Sequence, residues 1–170
     1  KGFTKLAAVL EDVLMDAYTA GTDGRYAGYA TGFEGLDEYL SGLHPGELYI
    51  MAGRPSMGKS AITTQIANNI YLMGGRVAFF PIEVGLKGFA RNIASMHTQT
   101  DTWKLRGGKG QHQTEPEQTA LLAYLELQKK GVFVTSIAKT PKGVESVLRD
   151  MISEHGGLDV VFIDHLQEMH

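Results

Sequence analysis

Apolar residues in this 170-residue chain follow two patterns, stripes with a helical period and short unbroken runs. The first stripe is Leu6, Val9, Leu10, Val13, Leu14 and Ala17, at spacings of three and four, with Glu11, Asp12 and Asp16 elsewhere. It predicts a helix from Thr4, placed to cap it, to about Thr19. Gly21-Thr22-Asp23-Gly24 breaks the pattern and reads as a linker. Four unbroken runs follow: Leu48–Ala52, Val77–Ile82, Val132–Ser136 and Asp159–Asp164. Each reads as a buried strand, the first fed by a turn at Pro45-Gly46.

Helical patterns separate the runs. Ile62, Ile66 and Ile70 repeat every four residues until Gly74-Gly75, and a second stretch runs from Leu86 to about Met96 despite Gly88. Thr114-Glu115-Pro116-Glu117 is a capping box that opens a helix to about Lys130. After Thr140-Pro141, Val144, Val147, Leu148, Met151, Ile152 and His155 make the clearest amphipathic stripe. Residues 98–113 read as an irregular connection. Apolar strands alternating with helices predict an α/β domain with a mostly parallel sheet covered on both faces. Ligands of such sheets bind at the carboxyl ends of the strands.

Between the first run and the helix after it stands Gly53-Arg54-Pro55-Ser56-Met57-Gly58-Lys59-Ser60, which fits the phosphate-loop pattern G-x-x-x-x-G-K-[ST]. Two glycines let the backbone curl so that N–H groups converge on phosphate oxygens, and the new helix adds its positive end. Lys59 would reach the β- and γ-phosphates, and the Ser60 hydroxyl would sit on Mg²⁺. A nucleoside triphosphate, ATP or another, is the expected ligand. Asp164 ends the fourth run and is placed to hold Mg²⁺ opposite Ser60, mostly through water. Glu83 ends the second run, where a carboxylate beside the γ-phosphate would activate a water for in-line attack. Glu83 also fits a simpler role, an acid complementing the dipole of the helix that follows. A nucleotide kinase would exclude that water, but no separate acceptor pocket or lid is visible in the sequence.

Composition narrows the partners. With Lys+Arg 16 against Asp+Glu 19 the net charge is −3, so nucleic acid would have to be met by a local patch or a ring of subunits. Trp103, Lys104, Arg106 and Lys109 form such a small cluster, though it reads more simply as a solvated loop, and Arg91 shares the ambiguity. The chain contains no cysteine, which removes disulfides and thiolate zinc sites and fits a reducing cytoplasm. No run of eighteen apolar residues suggests a membrane span. The histidines have no metal-ligand spacing; His155 reads as the end of a core face, and His165 is close enough in sequence to touch the site but reads more simply as a neighbour that supports or packs against it.

Thr31-Gly32-Phe33…Leu36-Asp37, Gly42-Leu43-His44-Pro45-Gly46-Glu47-Leu48, the Ala52–Ser60 loop, Phe79-Phe80…Glu83 and Ile163-Asp164-His165-Leu166-Gln167-Glu168-Met169 resemble, in order, the successive motifs of the DnaB-type replicative helicases. The likeness runs from about Leu10 to His170. It implies a RecA-like motor core over 26–170, preceded by a linker helix and linker over 1–25 that packs on an adjacent subunit. It further implies a hexameric ring that hydrolyses NTP between subunits and translocates on single-stranded DNA, with a primase and a helicase loader as further partners. By the same likeness Glu83 would be the catalytic base, Lys59 and Ser60 the phosphate and metal contacts, and Asp164 the second metal contact. A recombinase-like or clock-like ATPase, or a non-hydrolysing nucleotide-gated assembly module, stays open beside it. Two motifs depart from the family pattern: Pro81-Ile82-Glu83-Val84 stands where the family usually has Ser-Leu-Glu-Met, and His165 replaces tyrosine. Pro81 must make the strand end early or pair on one side only. The family's later strands, DNA-contacting loops, arginine finger and N-terminal scaffold have no counterpart here. An incomplete motor that binds nucleotide and hydrolyses it weakly by itself is therefore expected.

Overall fold

Val77–Pro81 (β1) is the centre of the molecule's sheet, and all five of its residues are buried. In the computed structural model, which describes residues 4–23, 26–107 and 112–165, it lies between Phe133–Thr135 (β2) and Val160–Asp164 (β3). Both pairings are parallel and the order is β2-β1-β3. By internal contacts the chain divides into two units, residues 1–49 and residues 50–170.

In the second unit the strand period of two sorts the core into two layers. Phe79 stacks on Phe89 at 4.4 Å and on Phe162 at 5.5 Å, while Phe133 meets Tyr71 and Phe89. That face is covered by the helices Lys59–Leu72 (α3) and Gly85–Thr98 (α4). Ala78, Phe80 and Ile82 point the other way, onto Val144 and Met151 of Pro141–His155 (α6). Helices on both faces of a parallel sheet give the α/β architecture that the apolar runs imply. Ile152 and His155 of α6 are exposed, so the core face stops at Met151, short of where the stripe suggested.

The helix Glu115–Gln128 (α5) is joined to the α3 layer by polar side chains. The Tyr124 hydroxyl donates to Asn68 Oδ1 at 2.9 Å, the Tyr71 hydroxyl to the Leu127 carbonyl at 2.7 Å, and the His97 ring stacks on Tyr124 at 4.3 Å. Burial pushes the Tyr124 phenol well above its ordinary value, so it remains a donor. Its N-terminus carries the expected capping box between Thr114 and Glu117. Lys104, in a single 3-10 turn over Lys104–Arg106, donates to Glu117 Oε1 at 2.8 Å, and Thr114 N donates to Oε2 at 2.7 Å. These partners, Lys104 first, hold the Glu117 carboxyl at about 2 instead of 4.5. The folded value lies below the unfolded one, so the contribution is complete above about pH 4.5 and is lost as pH falls toward 2. Glu117→Gln should flatten the dependence of the denaturation midpoint on pH across that window; an unchanged slope would assign the acid sensitivity elsewhere.

Arg76 and Asp159 close the opposite edge of the sheet. Arg76 donates through N, Nε and Nη2 to the two Asp159 oxygens at 2.7, 3.0 and 2.9 Å, just before β1 and β3 begin. This paired fork sets the register of the two strands.

The first unit contains Leu6–Asp23 (α1) and Glu34–Leu40 (α2). The helix α1 runs on through Gly21-Thr22-Asp23, where a linker was expected; Gly24 lies outside the described residues. It begins after Lys5, one residue past the expected Thr4 cap. Its apolar stripe is exposed from Leu6 through Leu14. Within α2 the buried Asp37 carboxylate accepts from Thr31 N at 2.6 Å and Gly32 N at 3.0 Å, and ahead of the helix Thr31 Oγ1 accepts from Phe33 N at 3.2 Å. The Thr31…Asp37 motif is therefore a backbone staple. Tyr29 and Leu43 form an antiparallel bridge, and a Cβ on Gly28 would stand 2.5 Å from the Leu43 carbonyl oxygen, so only glycine fits there.

One expected strand does not form. Leu48–Ala52 has no ladder partner, and Leu48 and Ile50 are 84% and 73% exposed. Strand character requires a ladder partner, and none of β1, β2 and β3 pairs with this run. An unbroken apolar run announces no pairing partner of its own.

Candidate nucleotide site

Residues 53–58 form an exposed loop that turns by two left-handed residues, Ser56 at φ 63° and Gly58 at φ 84°. A Cβ at Gly58 would meet nothing within 4 Å, so backbone conformation and not space calls for glycine there. Gly58 is also the N-cap of α3 and supplies no capping side chain. The first-turn N–H groups of α3 therefore face outward with the positive end of the helix dipole. Lys59 folds across the loop, its Nζ donating to the Gly53 and Arg54 carbonyls at 3.0 and 3.1 Å. Met57 N closes the loop onto Arg54 O at 3.4 Å. Ser60 stands in the first turn of α3, and its carbonyl accepts from Thr64 Oγ1 at 2.6 Å and Thr63 Oγ1 at 3.2 Å.

The two acids share the carboxyl edge of the sheet. Asp164 is the last residue of β3, buried and in register with Pro81. Ile82 N donates to Asp164 O at 2.8 Å, carrying the β1–β3 ladder one residue past Pro81. Glu83 follows at once and is half out in solvent. Pro81 does not break this pairing. The N–H groups of Val77 and Ile82 point to opposite neighbours, so position 81 faces β2, which ends opposite Phe79. The missing donor falls past the last paired residue of β2, and the pairing there is one-sided.

Helix α3 brings the loop toward the same edge. It packs on β1 and β3 and is joined to the start of β1 by residues 73–76, so it runs back along the sheet. Its 14 residues span about 21 Å against about 17 Å for a five-residue strand. Among the described residues no hydrogen bond or ion pair joins Lys59 or Ser60 to either acid. His165, read from the sequence only as a neighbour of the site, has a defined partner there: Glu83 Oε2 lies 3.1 Å from His165 Nδ1. The only signal of this contact in the sequence was that His165 follows Asp164.

The donors suit the ligands expected of them. Ser60 and Asp164 offer hard oxygen atoms, and among the described residues no group of three or more His, Cys, Asp or Glu could hold a metal. That is the donor set for Mg²⁺, which keeps waters and phosphate oxygens around one or two protein ligands. Two surface concavities lie elsewhere, an apolar groove of about 710 Å³ along α6 and a 500 Å³ hollow between α4 and α5. Neither contains the loop, because a phosphate cradle is a surface ring of N–H groups and not a deep apolar hole. In the basic cluster, Lys104 is paired with Glu117 and Arg106 lies 5.9 Å above the Trp103 ring; Lys109 is outside the described residues. Among the described residues no helix is long and apolar enough to cross a membrane.

Comparison with known proteins identifies the family and the fold. Residues 28–170 match the family model described as DnaB-like helicase C terminal domain. The replicative DNA helicase DnaB of Pasteurella multocida is 31% identical over 176 residues, covering 99% of this chain and 37% of that protein. Its counterpart from Haemophilus influenzae is 31% identical over 144 residues, covering 84% of this chain and 31% of that protein. The chain thus spans about a third of the length of these relatives. Among solved structures, one described as an ATPase domain superposes with a TM-score of 0.84 at 21% identity, covering 99% of this chain and 59% of that one. A DnaB-like replicative helicase, solved in a study of its interactions with primase, gives 0.79 at 21% identity, covering 100% of this chain and 41% of that one. These likenesses establish the RecA-like fold.

Proposed function

From the premise that this chain belongs to the DnaB-like helicase C-terminal domain family, we propose that it is the nucleotide-hydrolysing core of a replicative DNA helicase. In this reading a hexameric ring hydrolyses ATP, or another NTP, between subunits and uses the energy to move along single-stranded DNA and open the duplex. The observation that carries the reading is the gathering of two acids remote in sequence, Glu83 and Asp164, on one edge of a parallel sheet. Gly53–Ser60 would hold the phosphates through backbone N–H groups, with Lys59 shifting its ammonium from the Gly53 and Arg54 carbonyls onto the β- and γ-oxygens. Ser60 and Asp164 would hold Mg²⁺, which supplies charge neutralisation at those oxygens when bound. Glu83 would take the proton from the attacking water. Single-stranded DNA, a primase and a helicase loader would be partners of the complete polypeptide, and the α1 stripe would dock on the next subunit.

Lys59→Ala tests the cradle. Losing charge-assisted hydrogen bonds worth about 1.5–3 kcal/mol should weaken Mg-ATP binding roughly tenfold to a hundredfold. In the complete polypeptide the same change should stop the opening of a forked duplex. Unaltered nucleotide affinity would remove the loop from the site. A polypeptide that binds ATP normally but never turns it over would favour a nucleotide-gated assembly module.

A further inference from the structure

Beyond β1 and β3 the chain places two side chains next to each other that the phosphate-loop chemistry does not require to meet. Pro81 and Asp164 are in register, and the Ile82 N to Asp164 O hydrogen bond fixes the two backbones one step further on. Glu83 and His165 therefore leave the ladder from adjacent points, and their side chains close to 3.1 Å between Oε2 and Nδ1. The contact involves one carboxylate oxygen and one ring nitrogen. The His165 side chain is 31% exposed and that of Glu83 58%, so the ring is the better anchored of the two.

The geometry points to His165 as the positioning residue for Glu83. With a hydrogen on Nδ1 the ring donates to Oε2, fixes the rotation of the carboxylate and leaves Oε1 as the oxygen that meets water. The neutral ring suffices in the tautomer that carries its hydrogen on Nδ1, since the other tautomer would leave Nδ1 an acceptor facing an acceptor. A long carboxylate side chain in solvent otherwise samples several rotamers, and only some aim at the attacking water. This inference rests on the proposed role of Glu83 as base and adds to it the group that aims it.

The test compares His165→Ala with His165→Asn in the complete polypeptide, measuring kcat, KM and nucleotide affinity separately. Asparagine places an amide N–H close to the position of Nδ1. His165→Ala should lower kcat between about tenfold and a hundredfold with KM and nucleotide affinity unchanged, and His165→Asn should recover most of the loss. Adding His165→Ala to Glu83→Gln should lower kcat no further. A nitrogen-15 spectrum of the nucleotide-free protein supplies a readout independent of turnover: Nδ1 of His165 should carry the hydrogen, and Glu83→Ala should move it to Nε2. The inference is overturned by full kcat in His165→Ala, by His165→Asn as impaired as His165→Ala, or by a bare Nδ1. If Glu83→Gln itself retains turnover, the assignment of the base fails. If Glu83→Gln is inactive while His165→Ala is not, only the positioning role does.

Discussion

Glu83→Gln is expected to bind Mg-ATP as the parent does while losing about 10²–10⁴ in turnover, the usual contribution of a placed general base. Glutamine keeps the size and hydrogen-bonding reach of the side chain but cannot accept a proton, so the loss should appear in kcat and not in affinity. Glu83 is exposed at the carboxyl edge, and no core residue depends on it for packing. Stability should therefore hold, and circular dichroism would verify that the variant is folded. Turnover within a fewfold of the parent would leave Glu83 only its simpler role, an acid near the start of α4. A variant that loses nucleotide binding as well would place Glu83 in the cradle.

Phe79→Ala is expected to reduce folding stability by about 3–5 kcal/mol, enough to unfold a marginal domain. Phe79 is almost completely buried in the central strand and stacks between Phe89 of α4 and Phe162 of β3. Its removal opens a cavity where three elements meet and leaves two rings without their partner. A denaturant titration gives the number directly. A loss under about 1 kcal/mol would mean that the layer collapses around the gap. Phe80→Ala, on the α6 face, makes a useful comparison because it empties the other layer.

The parts of this fold legible in the sequence were those specified locally. The capping box at Thr114–Glu117 is four residues reading one another, and the phosphate loop is eight. The runs at Val77, Val132 and Asp159 became strands because each found a parallel neighbour. Leu48–Ala52 has the same apolar character and did not, since pairing depends on distant edges that no local pattern records. Asp37 was visible only as a motif letter, and its work as a backbone staple emerged from contacts across six residues. The Glu83–His165 contact joins positions on different strands, which only register brings together. The rim assignment of Glu83 and Asp164 needed just a parallel sheet and the positions of strand ends, so it followed from the sequence alone.

The proline at the end of β1 shapes the terrain around Glu83. Because Pro81 offers no hydrogen on its β2 side and β2 has already ended opposite Phe79, the rim is stepped. The β3 shoulder stands two residues higher, about 7 Å at the rise of a strand. Glu83 thus leaves the sheet where its β3 flank is still held, by the ladder and then by His165, while the β2 ladder has already ended.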